Sequence, residues 1–179
     1  MSRLTVTPEN APGIATLRTE DPALIASKLA EVGVRFERWT LPVAVSPEAD
    51  ADTLLAAYRP HLDRLMGEGG AGTADVIKMR PGNAAYPAMR RKFIDEHIHT
   101  EDEVRFFVGG AGNFILHLDG HVYDAHCTEG DLISVPAGVK HWFDAGAEPN
   151  ATVLRVFTDT TGWTPHYTGD QISASFPAA

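Results

Sequence analysis

The sequence predicts a mostly β protein, its strands closing into a sandwich or small barrel, with helices from the N-terminal third packed outside. Three observations predict this. From residue 74 onward apolar and polar residues alternate with a period of two, in short runs. Turn-forming pairs separate the runs, as expected of all-β architectures. The two helical patterns read from apolar spacing both lie before about residue 70.

Asp21-Pro22 predicts a helix start, with Asp as cap and Pro in the first turn. Leu24, Ile25, Leu29 and Val32 then form one apolar stripe, and Gly33 ends the helix. VRFERW, 34–39, alternates and predicts a strand. Ser46-Pro47 opens a second helical pattern through Leu54, Leu55, Tyr58, Leu62 and Leu65. Pro60 lies within it and predicts a break near Arg59. ADVIKM, EVRFFV, NFILHL, HVYDAH, DLISVP and ATVLRVF are strand candidates. Turns are expected at Gly109-Gly110, Asp119-Gly120, Glu129-Gly130 and Ala137-Gly138, and from Asp144 to Asn150. Asp119-Gly120 is a two-residue hairpin signal. The expected organisation is one domain over 1–179: a helical and strand part over about 1–70, a barrel core over about 74–158 and an irregular tail over about 159–179.

The chain has 179 residues, enough for one domain with a real core. Its formal net charge of -9 repels phosphate backbones and anionic lipid, so neither nucleic acid nor membrane is an expected partner. The one cysteine, Cys127, excludes an intramolecular disulfide. MSRLTVTPEN lacks the apolar run of a signal peptide, and no apolar stretch is long enough to span a bilayer. A cytoplasmic protein is the expectation, and its acidic balance fits a monomer without requiring one.

The chemistry concentrates in Glu96-His97-Ile98-His99-Thr100-Glu101-Asp102-Glu103. Histidines two apart on an extended strand point to one face, so both imidazoles can approach one ion. Glu103 can return from a bend and add an oxygen; Glu101, close to His99, ranks below it. A second segment, Gly130 to His141, contains Pro136 and Gly138 and ends in the third imidazole, which a neighbouring antiparallel strand can bring to the same interior. Three imidazoles and a carboxylate suit Fe(II), Ni(II), Mn(II), Co(II) or Zn(II). In an octahedral site these four ligands leave two positions for a chelating substrate.

The two segments resemble the conserved motifs of the cupin superfamily. His-x-His, three residues, Glu, six residues, Gly matches His97, His99, Glu103 and Gly110. Gly, five residues, Pro-x-Gly, two residues, His matches Gly130, Pro136, Gly138 and His141. The glycine usual six positions before the first histidine is replaced by Arg91. More narrowly, EHIHTEDEVRFFVGGAGNFILH and GDLISVPAGVKHWFD resemble the bacterial-type acireductone dioxygenase family, with the similarity strongest from Phe93 to Phe157.

The resemblance implies a cupin jelly-roll barrel and one Fe(II) or Ni(II) ion per chain, held by His97, His99, Glu103 and His141. It also implies a small-molecule enediol and O2 as reactants, and a monomer. It gives the arginine matching Arg105 a part in generating the substrate dianion, and strand parity places Arg105 on the face of Glu103. It gives the acidic positions matching Glu96 and Asp102 accessory roles in metal incorporation and in relaying conformational change; by parity both point away from the ligands. Arg155 is an interior charge or a solvated one. Phe106, Phe107, Trp142, Phe143, Phe157 and Trp163 belong to the core or line an apolar pocket, and the sequence does not sort them. Cys127, His61, His117, His121, His126 and His166 are expected not to be ligands. The alternatives are another metal-dependent cupin enzyme, an oxygenase or isomerase, or a non-enzymatic binding cupin.

Overall fold

Leu4 and Val6 alternate with polar residues in β1 (Arg3–Pro8), which buries them against the barrel. The computed structural model describes residues 1–41, 45–69, 72–157 and 164–177, with side chains of 68, 69 and 157 outside the description. After β2 (Leu17–Thr19), Asp21 accepts a hydrogen bond from Ala23 N and starts α1 (Pro22–Ala30). That helix buries Ile25 and Leu29, and Gly33 leaves it with φ +78°. β3 (Arg35–Arg38) follows.

The second helical region divides where Pro60 requires it. α2 (Ala51–Ala57) ends at Tyr58, and α3 (Arg59–Gly69) begins at once. The cap of α2 is Asp50, which accepts from Thr53 N, so regular helix starts later than Ser46-Pro47 suggested. Leu54, Tyr58, Leu62 and Leu65 pack on Phe106, Leu132, Leu154 and Val156. The N-terminal helices thus cover the outer face of a sheet.

The remaining elements are β4 (Thr73–Met79), α4 (Tyr86–Phe93), β5 (His97–Ile98), β6 (Glu103–Leu118), β7 (His121–Thr128), β8 (Asp131–Val135), β9 (Lys140–Asp144), β10 (Ala151–Phe157), β11 (His166–Tyr167) and a 3₁₀ turn (Ile172–Ser175). All pairing is antiparallel. One ladder runs β3-β8-β6-β10-β4 and the other β11-β5-β9-β6-β7-β1-β2. The two share β6, whose first half pairs with β8 and β10 and whose second half pairs with β9 and β7. This is the jelly-roll arrangement.

Gly109-Gly110 is therefore not a turn. The strand bends there without stopping, and its register with β10 shifts opposite Thr152 and Val153. Gly110 has φ +71°, and a Cβ on it would lie 1.8 Å from the Asn150 carbonyl oxygen. A Cβ on Gly112 would lie 2.6 Å from the Phe143 ring. Both positions need glycine because two strands and a ring close over the bend.

Two further elements depart from the sequence reading. α4 stands where no helix was expected. The C-terminal stretch is not wholly irregular: β11 pairs with β5, and Ile172 and Phe176 cover Ile115, Val122 and Trp142 on the outside of the barrel. Trp163 and the Phe157 side chain lie outside the described residues. Among the described residues, no helix is long and apolar enough to cross a membrane.

Candidate metal centre

His97 and His141 are register partners on β5 and β9, so their side chains leave the sheet on the same face. His99 lies just beyond β5, and its carbonyl accepts from Gly138 N at 2.9 Å. The Asp102 carboxylate accepts from Ala137 N at 2.9 Å. These two bonds lace the 99–102 bend to the Pro136–Gly138 loop that leads into His141. Glu103 then opens β6 and faces the same interior.

The three imidazoles converge. Their donor nitrogens lie within 4.8 Å of one another, and all three residues are buried. Glu103 Oε2 is 2.8 Å from His141 Nε2 and 3.7 Å from His99 Nε2. The 2.8 Å approach lacks hydrogen-bond alignment, and both atoms are buried without a partner. His97 Nδ1 donates to the Asp95 carbonyl at 2.7 Å, and His141 Nδ1 donates to the Val139 carbonyl at 2.8 Å. With Nδ1 protonated, each ring turns an Nε2 lone pair inward, the form a metal needs.

Electrostatics prepare the same state. Burial, reinforced by the neighbouring His141, lowers His97 to about 4. Burial also lowers His99, against the pull of Glu103. Burial opposes ionisation of Glu103, but Arg105, His141 and His99 together outweigh it and hold the carboxyl well below the usual range. At neutral pH His97 and His99 are thus neutral and Glu103 is anionic. Orphaned, buried lone pairs on borderline nitrogen and hard oxygen donors fit a divalent transition ion.

Arg105 donates to the other oxygen of Glu103. Burial lowers its guanidinium to about 10, opposed by Glu103 and assisted by Arg155, which leaves it charged at neutral pH. A cavity of about 50 Å³ joins it to His97, Glu103 and His141. Its other walls are mainly apolar and include Met79, Met89, Phe93, Phe107 and Phe143. Arg155 is the second guanidinium on the wall. Of the aromatics named from the sequence, Phe107 and Phe143 line the cavity, Phe106 faces α2 and α3, and Trp142 faces the tail.

A model of the ARD/ARD' family matches residues 6–165. The chain belongs to that family. It is 65% identical over 179 residues to an acireductone dioxygenase of Granulibacter bethesdensis, covering 100% of both chains. It is 59% identical to one of Acidiphilium cryptum, over 100% of this chain and 99% of the other. Among solved structures it is similar to an acireductone dioxygenase from Bacillus anthracis with a cadmium ion in its active centre. That match has a TM-score of 0.81 and 29% identity, over 93% of this chain and 98% of the other.

The two acidic residues expected from the sequence to be accessory, Glu96 and Asp102, occupy different settings. The Glu96 side chain is fully buried and points away from the imidazole cluster. It accepts from His117 Nδ1 and from the Thr168 hydroxyl, each at 2.6 Å, while its carbonyl accepts from Thr168 N. His117 also donates to Glu9 at 2.7 Å. Glu96, His117 and Asp170 form a second, mutually close group of oxygen and nitrogen donors. Asp102 is exposed and acts on the backbone of the loop. His126 bonds to Asn113, Cys127 is buried, and His166 lies on the exposed β11. His61 packs among Trp39, Tyr58 and Phe106.

The sequence reading missed the α4 contribution. Tyr86, Met89 and Phe93 line the cavity, and Arg90 anchors their helix to Asp144 through two bonds of 2.8 and 2.7 Å. The apolar spacing of these three residues was the available signal. Asp75 was also missed, since only the register of β4 against β10 brings it to Arg155.

Proposed function

We propose that this chain is an acireductone dioxygenase holding one Fe(II) or Ni(II) ion through His97, His99, Glu103 and His141. Its substrate is 1,2-dihydroxy-5-(methylthio)pent-1-en-3-one, cleaved with O2 in methionine salvage. One observation carries the reading: three imidazoles and an ionised carboxylate converge, with unsatisfied buried lone pairs, on a cavity that also holds a buried arginine. The extent of similarity to acireductone dioxygenases supports it.

A bound divalent ion supplies a Lewis acid and a template for two substrate oxygens. The chain's residues do the rest. Glu103 offers one oxygen to the cluster and uses the other to hold Arg105. The Arg105 guanidinium stabilises the deprotonated enediol by charge-assisted hydrogen bonds. Phe107, Phe143, Met89 and Phe93 exclude water and receive the methylthio chain. In this reading the enzyme yields 4-methylthio-2-oxobutanoate and formate with Fe(II), and 3-(methylthio)propanoate, formate and carbon monoxide with Ni(II). It works as a cytoplasmic monomer, without nucleic acid or membrane, in keeping with its acidic balance.

The test is product identification. Metal-free protein is reconstituted anaerobically with one metal or the other, then given acireductone and O2. Carbon monoxide is expected from the nickel form alone. Oxygen uptake no faster than the uncatalysed rate with both metals would overturn the reading.

A further inference from the structure

Strands β4, β10 and β6 set Asp75, Arg155 and Arg105 in one row, because Arg155 is the register partner of both others. Arg155 donates to Asp75 through Nε at 2.7 Å and through a terminal nitrogen, a two-pronged grip. Arg105 is tied to Glu103. Like charges directly opposite on neighbouring strands destabilise a sheet, and desolvation adds to that cost. Two residues along, Val153 and Ile77 show that apolar pairs fill this face well. The ion pair with Asp75 does not by itself explain a second guanidinium beside Arg105.

The cavity does. Arg155 lines it together with Arg105, His97, Glu103 and His141. Once a divalent ion is held, it and the two guanidiniums make this wall of the cavity positive, the side a dianion would meet. We propose that Arg155, oriented by Asp75, is a second substrate-binding residue, reaching the bound enediolate from β10 while Arg105 acts from β6. This inference rests on the reading of the substrate as a deprotonated enediol.

Oxalate, a stable dianionic chelator, provides the probe, titrated calorimetrically into the Ni(II)-loaded protein. Arg155→Met is expected to weaken oxalate binding by about 10- to 100-fold, the worth of a hydrogen bond to a charged group. It should keep one nickel per chain and bind neutral imidazole as the wild type does. Arg155→Lys should recover part of the loss, since the charge returns without the planar fork. In turnover, KM for acireductone should rise by more than kcat falls. Should Arg155→Met fail to fold with Asp75 unpaired, the double variant Asp75→Asn/Arg155→Met removes both charges and is expected to show the same loss. Oxalate affinity within twofold of wild type, in a folded variant with one nickel per chain, would overturn the proposal. If the wild type fails to turn over acireductone but loses oxalate on Arg155→Met, the anion-binding role stands and only the substrate assignment falls.

Discussion

Replacing Gly110 with alanine tests whether the β6 bend builds the barrel. Two terms set the cost. A left-handed backbone at φ +71° penalises any Cβ by about 1–2 kcal/mol. The added Cβ would also lie 1.8 Å from Asn150 O and 2.9 Å from Ala151 Cα, so β10 must move. That movement breaks the bond from Ala111 N to Asn150 O, now 2.9 Å, at about 0.5–1.5 kcal/mol. The sum is about 1.5–3.5 kcal/mol, or roughly 3–14 °C in Tm for a domain of this size. Gly120→Ala is the control. It has φ +72° and nothing within 4 Å, so it pays the backbone penalty alone. Calorimetry on the two metal-free variants should show Gly110→Ala falling about twice as far. Equal losses would refute the argument that close packing of β10, rather than backbone conformation, demands glycine at the bend.

Three further outcomes are expected. His99→Ala should weaken Ni(II) or Fe(II) binding by more than about 100-fold, since even residues behind a ligand are worth 10–100-fold; retention of one ion per chain by elemental analysis would remove His99 from the ligand set. Asp102→Ala loses the acceptor for Ala137 N and should weaken metal binding about tenfold, while Asp102→Asn, which keeps an acceptor oxygen, stays near wild type. Identical behaviour of the two variants in a metal competition assay would refute that positioning role. His117 carries a pH signature. Burial disfavours its charge, but hydrogen bonds to Glu9 and Glu96 outweigh this and raise its pKa above the ordinary value. A raised folded-state pKa gives stability that is fully present below the unfolded value, near 6.5, and is lost as pH rises through the folded value. The Tm deficit of His117→Gln should therefore be largest at pH 5.5 and shrink by pH 9; a pH-independent deficit would contradict it.

Local patterning carried most of the fold because β7 buries one face, which writes itself as alternation, while β8 and β10 are buried on both faces and read as short apolar runs between turns. The cluster was legible for a related reason. His-x-His needs only an extended backbone, and the Gly130–His141 spacing needs only two turns and a strand. What stayed hidden depends on distant pairing. A Gly-Gly pair reads locally as a turn, and only β10 makes Gly110 a bend in a continuous strand. β11 is two residues long and exists because β5 offers it an edge. In α4, Tyr86, Met89 and Phe93 have helical spacing, but Arg90, Arg91 and Lys92 dilute the stripe and its N-terminus has no side-chain cap. Arg155 alternates with apolar neighbours like any strand residue, and its place beside Arg105 follows from register alone.

In the proposed reading, the supports of the cluster let one ligand set serve two metals. His97 and His141 are each oriented by a backbone carbonyl two residues earlier, and Glu103 by Arg105 two residues later. His99 is placed by the bond from Gly138. Each of these contacts is made within the protein, so ligand position is supported from the protein side. The opposite holds for small domains that fold only on binding metal, where the geometry of the ion shapes the site. A preset cluster of three nitrogens and one oxygen accepts any ion of suitable size that tolerates an octahedral field, and selection passes to affinity order and supply. Nickel outranks iron in that order, so iron occupancy requires an iron-rich source or nickel scarcity. In the proposed reading Arg105, Arg155 and the apolar wall are the same for either ion, so the ion itself decides between the two product sets.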